Sequence, residues 1–185
     1  MRYFLLLLSF LCLPVHAGKI IAANVEYEDE RYFVEIEMLI KAPTGKVYTL
    51  FTDYDHLNRI NKTVTKSNLV YSIDDNTHRV NVLSEACVSF FCIKVKQLQD
   101  VEEQKDGIIF VTDVPGKSDT VYAHSRWHIR QENEFTRVTY NTDLKPDFWV
   151  PPLIGPYLIK RKLREASLET INAVEKLANK LADDV

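Results

Sequence analysis

The chain has 185 residues, 23 Lys and Arg against 26 Asp and Glu, and a formal net charge of −3, with 46% of its residues hydrophobic. This length and composition predict one globular domain with a core of its own, and exclude a low-complexity or repeat protein. The acidic balance excludes the basic footprint of a nucleic-acid binder, so no nucleic-acid partner is expected.

Residues 1–17 read as a signal peptide. Arg2 gives a short positive start and Tyr3 to Val15 an almost unbroken apolar run. Val15-His16-Ala17 then places small residues at −3 and −1 before Gly18. The run is too short for a hydrocarbon core that needs about 20 residues. Leu11 stands where a lipidated Cys12 would need a small residue. Export to the bacterial periplasm or beyond is the expectation, with residues 18–185 as a single domain.

Tyr32, Val34, Ile36, Met38 and Ile40 alternate with Phe33, Glu35, Glu37 and Leu39, the period of a half-buried strand. Ala42-Pro43-Thr44 ends it, with Thr44 as a plausible helix N-cap. Val47, Leu50, Phe51 and Tyr54 follow at helical spacing, and Asp53 to Leu57 opens a second short helical turn, where Asp53 and Asp55 suit a structural helix start. Six more strands are predicted at about 64–73, 78–88, 91–103, 107–114, 119–132 and 135–145, with short turns implying an antiparallel meander. Residues 153–182 predict one amphipathic helix of about 45 Å, which must lie across a curved sheet because a small domain cannot enclose it. The order is α+β.

Cys87 and Cys92 are five residues apart in an exported chain. On one straight strand they would lie about 16 Å apart and face oppositely, so a bridge requires a turn at residues 88–91. A four-residue hairpin loop brings them opposite each other, and the bond then contributes about 2 kcal/mol. Two buried thiols are the alternative.

Trp127 shares a strand face with Val121, Ala123, Ser125 and Ile129, and Tyr140 shares one with Val138 and Leu144. Trp127 is either core filling or the wall of a cavity for an apolar ligand, into which Tyr140 would turn a hydroxyl. Gln97 and Gln99 fall on an inner face among Ile93, Val95 and Val101; there they need partners, which a ligand or cavity water would supply, unless a bulge turns them out. His124 and His128 stand about 13 Å apart along one strand, too far to share a metal. No metal site or cofactor is expected, and no nucleophile-elbow, phosphate-loop or zinc-protease motif occurs.

Pro146 to Tyr157 is proline-rich and apolar, with Phe148, Trp149, Val150, Leu153 and Ile154. It is expected to form the mouth of the cavity, with Trp149, Ile154 and Tyr157 toward ligand and Phe148 and Trp149 toward membrane. Lys160, Arg161 and Lys162 follow, either as a solvated helix face or as a contact for anionic lipid.

The element order, with Ala42-Pro43, Val47, Phe51, Asp53-Tyr54-Asp55-His56-Leu57, Trp127 and Pro146-Asp147-Phe148-Trp149-Val150-Pro151-Pro152, resembles the START-like helix-grip (SRPBCC) superfamily and, within it, the polyketide cyclase/coenzyme Q-binding proteins. The resemblance implies a seven-stranded sheet gripping the long helix around an apolar cavity for lipid, quinone, sterol or polyketide. The leading expectation is a monomeric, non-enzymatic carrier or sensor of a hydrophobic small molecule, with transient membrane contact. The alternatives are an enzyme on such a ligand, using Tyr140 with His or Asp groups as acid and base, or a protein-interaction module.

Overall fold

The structure, a computed structural model, describes residues 18–88, 91–150 and 155–183. It begins with a hairpin, β1 (Lys19–Glu28) and β2 (Arg31–Ile40), followed by helix α1 (Thr44–Phe51) and one 3-10 turn at Leu57–Arg59. The meander β3 (Val64–Ser72), β4 (Thr77–Val88), β5 (Phe91–Glu103), β6 (Ile108–Asp113), β7 (Thr120–Glu132) and β8 (Phe135–Pro146) comes next, and helix α2 (Gly155–Asp183) closes the chain. The strands form one antiparallel sheet in the order β1-β2-β8-β7-β6-β5-β4-β3. Pairing of β2 with β8 brings the first hairpin beside the last strand, with Ile36 opposite Tyr140 and Met38 opposite Val138. The result is the α+β helix-grip fold.

The sheet has eight strands where the sequence predicted about seven. The additional one is β1, which alternates weakly because it is an edge strand. It turns into β2 through Asp29 and Glu30, both at positive φ (49° and 63°), a tight hairpin built without the glycine or asparagine that would announce it. Thr44 does not cap α1; that place is taken by Pro43, and the Thr44 hydroxyl instead donates to Gln131 at 2.7 Å. Val121 does not share the face of Trp127. A register shift between Thr120 and Tyr122 buries Thr120 and leaves Val121 exposed, so the alternation resumes correctly only at Ala123.

Cys87 and Cys92 are cross-strand partners joined by a disulfide. The ladder continues through Val88 and Phe91, two residues expected in a four-residue loop, and residues 89–90 lie outside the described residues.

The concave face carries the core. Val34, Ile36, Met38 and Ile40 of β2, Val138 of β8 and Ile129 of β7 pack with Val47 and Leu50 of α1 and with Ile171, Val174 and Ala178 of α2. Only the second half of α2 is represented in that packed group by fully buried residues. Its first half stands over the middle of the sheet, and there a space remains.

Candidate functional site

That space is a cavity of about 280 Å³ between the concave face and α2. Phe51, Trp127 and Tyr140 form its aromatic wall, and Leu163, Ala166, Ser167 and Thr170 its helical roof. Trp127 and Tyr140 are opposed across β7 and β8, and their ring centroids stand 4.1 Å apart. Phe51 meets Trp127 edge-on at 5.4 Å, so α1 braces the indole from the other side. Burial raises the Tyr140 pKa above its ordinary value. Its hydroxyl therefore stays protonated at neutral pH, 3.3 Å from the Ser125 hydroxyl, which lies 2.8 Å from that of Thr142. This is a neutral hydrogen-bonding row and not a base.

Gln97 and Gln99 also line the cavity, since the β4–β5 pairing runs through both without a bulge. They reach Asp113, a residue only 3% exposed at the end of β6. The Gln97 amide donates to the two carboxylate oxygens at 3.3 and 3.1 Å, the Gln99 amide at 2.9 Å, and the Thr120 hydroxyl at 2.5 Å. A buried carboxylate is stable when several donors surround it. The geometry also fixes both glutamines. An ionised carboxylate only accepts, so each amide must present its NH₂ to Asp113 and turn its carbonyl oxygen elsewhere. The bulge at Val121 matters here, because it is what brings Thr120 inward.

A second polar group closes the α1 end. Tyr54 lines the cavity, and its hydroxyl donates to Glu103 at 2.6 Å, with Tyr48 donating to the other carboxylate oxygen at 2.5 Å. Burial, reinforced by Glu103, pushes both phenols well above their ordinary pKa. Asp113 and Glu103 were not singled out in the sequence, yet the alternation Ile109, Val111, Asp113 places Asp113 inward. Asp53 and Asp55 are structural: Asp53 holds His56 at 2.8 Å, and Asp55 accepts the Leu69 amide at 2.9 Å.

The expected mouth divides differently. Trp149 and Tyr157 are not among the cavity's lining residues; they are 77% and 68% exposed, with Phe148 also exposed. Ile154 and Leu153 lie outside the described residues. Arg161 and Lys162 both pair with Glu165, at 3.0 and 2.7 Å, while Lys160 is exposed. Among the described residues, the one cluster of potential metal ligands is Glu85, Cys87 and Cys92, whose sulfurs are joined in the disulfide. None of the described helices is long and apolar enough to cross a membrane.

No protein-family model and no curated protein sequence matches the chain. Solved structures do. A START superfamily protein from Mycobacterium smegmatis superposes with a TM-score of 0.61 at 14% identity, over 80% of this chain and 98% of that one. An aromatase/cyclase from a Streptomyces strain gives 0.62 at 13% identity, over 81% and 94%. A STAR-related lipid transfer protein from Xanthomonas axonopodis gives 0.57 at 17% identity, over 85% and 98%. The chain therefore has the START-like fold.

Proposed function

We propose that this protein binds a hydrophobic small molecule in the cavity under α2, as a carrier or sensor. The observation that carries the reading is the combination of an aromatic wall at Phe51, Trp127 and Tyr140 with a polar end at Gln97 and Gln99. The volume is near the lower limit of ligand pockets, which start at about 300 Å³, so the occupant is compact: a fused-ring or short-chain molecule. Because the two glutamine NH₂ groups are engaged by Asp113, each leaves a carbonyl oxygen as its free acceptor, and the favoured ligand carries a hydroxyl or N–H donor at one end. The titratable groups support binding over chemistry. Tyr140 and Tyr54 are held protonated by burial, so neither is a general base poised at neutral pH. The fold likeness to a lipid transfer protein and an aromatase/cyclase is compatible with either class.

Phe148, Trp149 and Tyr157 supply the membrane side of this reading. All three are exposed, Phe148 and Trp149 before α2 and Tyr157 in its first turn, with Lys160 following. Such side chains favour the bilayer interface, where a carrier collects or delivers its ligand.

Native mass spectrometry of the protein purified gently from its own host tests the proposal. The expected spectrum contains a one-to-one adduct of a small apolar molecule, lost in Trp127→Ala. A spectrum of bare protein, in a preparation that retains added ligand, would contradict it.

A further inference from the structure

We infer that proteolytic removal of residues 1–17 creates a binding partner for Glu175, and that the new α-ammonium group of Gly18 locks α2 onto the edge of the sheet. Two independent observations meet at this point. From the sequence, Val15-His16-Ala17 places a peptidase cleavage site directly before Gly18. From the structure, the Gly18 nitrogen lies 2.8 Å from Glu175 Oε1, in a partly buried contact between residues 157 positions apart.

The surroundings are built around that nitrogen. The same Glu175 oxygen accepts the Lys41 backbone N–H at 2.7 Å, which holds the carboxylate at the β2 end of the sheet. A Cβ at position 18 would stand 2.5 Å from Glu175 Oε1, 2.5 Å from the Leu39 carbonyl oxygen and 2.6 Å from Ile171 Cγ2. The Leu39 contact is backbone and cannot swing aside as a side chain would, so any larger residue at position 18 requires the chain to shift out of this place. Small residues on both sides of the scissile bond thus have separate causes: Ala17 for the peptidase, Gly18 for the pocket.

The chemistry is a hydrolysis. Water adds across the Ala17–Gly18 amide; Ala17 leaves as a carboxylate, and the Gly18 nitrogen gains protons to become an ammonium. Before cleavage that nitrogen has one hydrogen and no charge. Afterwards it has three hydrogens and a full charge against a carboxylate, and charge-assisted bonds are roughly twice as strong as neutral ones. Glu175 sits one residue after Val174, in the fully packed half of α2. Processing would therefore tighten the grip of the helix that roofs the cavity, and an exported chain would reach full stability only once its leader is gone.

The test starts with the full chain, leader included, expressed in an exporting bacterial host. Intact mass should show a mature chain beginning at Gly18; a chain that keeps residues 1–17 or begins elsewhere overturns the inference. The mature chain is then compared with one carrying two extra residues before Gly18, each with and without Glu175→Gln. Gln retains an acceptor for the Lys41 and Gly18 nitrogens but removes the charge. The substitution should lower the melting temperature of the mature chain by about 3 °C and that of the extended chain by clearly less. Equal losses in the two chains would show that the ammonium contributes nothing, and would overturn the pairing even if cleavage is placed correctly.

Discussion

The two halves of α2 meet the same sheet and do different things. Toward its C-terminal end Ile171, Val174 and Ala178 are essentially inaccessible and packed against β2, β8 and α1. In the stretch just before them Leu163, Ala166, Ser167 and Thr170 face the sheet across a cavity. Both stripes fall at helical spacing, so periodicity alone reads them as one continuous face. The difference is side-chain size and the partner below: branched residues on β2 in one half, small roof residues over glutamines and aromatics in the other. A long helix can thus anchor a domain at one end and leave room for a guest at the other.

The contrast is broken most severely at the packed end. Ile171→Ala should cost about 3 kcal/mol, measured by urea denaturation, because its surroundings are close-packed and cannot collapse into the gap. Affinity per folded molecule for an apolar probe should change little. A small stability loss would mean that this half is also loosely filled.

Trp127→Ala tests the open end. In a sealed core the change would cost about 3–5 kcal/mol. Here the expected loss falls below that range, while apolar probe affinity drops by at least about tenfold, a change of about 1.4 kcal/mol. Full core-sized destabilisation with unchanged binding would make Trp127 part of the packed core and nothing more.

Asp113→Asn is smaller again in its effect on stability, about 1–2 kcal/mol, since the shape is kept and only the charge-assisted bonds weaken. Its signature is selectivity. With the two glutamine amides no longer held in one orientation, the preference for naphthol over naphthalene, read by competition, should fall several-fold. An unchanged ratio would remove the glutamine carbonyls from the recognition scheme.

The smallest effect concerns His128, behind Trp127 on β7. Desolvation, and then Arg126 and Arg130, lower its pKa below the ordinary value of 6.5. The unfolded chain therefore takes up the proton first, and stability falls as pH drops through the window below 6.5. In His128→Gln, denaturation midpoints between pH 7.5 and 5.5 should decline slightly less than in the parent. An identical decline would mean that His128 titrates alike in both states.

Much of this architecture was legible in the sequence, and the exceptions have physical causes. The strict alternation of β2 and the long apolar stripe of α2 are direct imprints of burial, and both elements form where their patterns predict. The pattern of β1 is faint because an edge strand buries little, and its turn uses Asp29 and Glu30 in conformations usually left to glycine. The inward placement of Gln97 and Gln99 followed from parity, and parity also turns Asp113 inward, but its role as their partner was not legible. A carboxylate on an inner face makes sense only once the Val121 bulge delivers Thr120 beside it, and local patterning cannot announce a bulge. The aromatics after Pro146 were legible as unusual but not in direction: an apolar residue next to a core can pack inward or stand in solvent, and Trp149 and Tyr157 are exposed.

The central claim is that the space beneath α2 admits a hydrophobic molecule, and energy transfer from Trp127 tests it most directly. The sequence has two tryptophans, so Trp149→Phe leaves Trp127 as the sole donor. Titrating that variant with N-phenylnaphthylamine should give saturable, one-to-one quenching of Trp127 with sensitised probe emission. Ala166→Phe, which fills the cavity from its roof, should abolish the signal while leaving the fold intact. Transfer that never saturates, or that survives Ala166→Phe unchanged, would place the probe elsewhere and contradict the account.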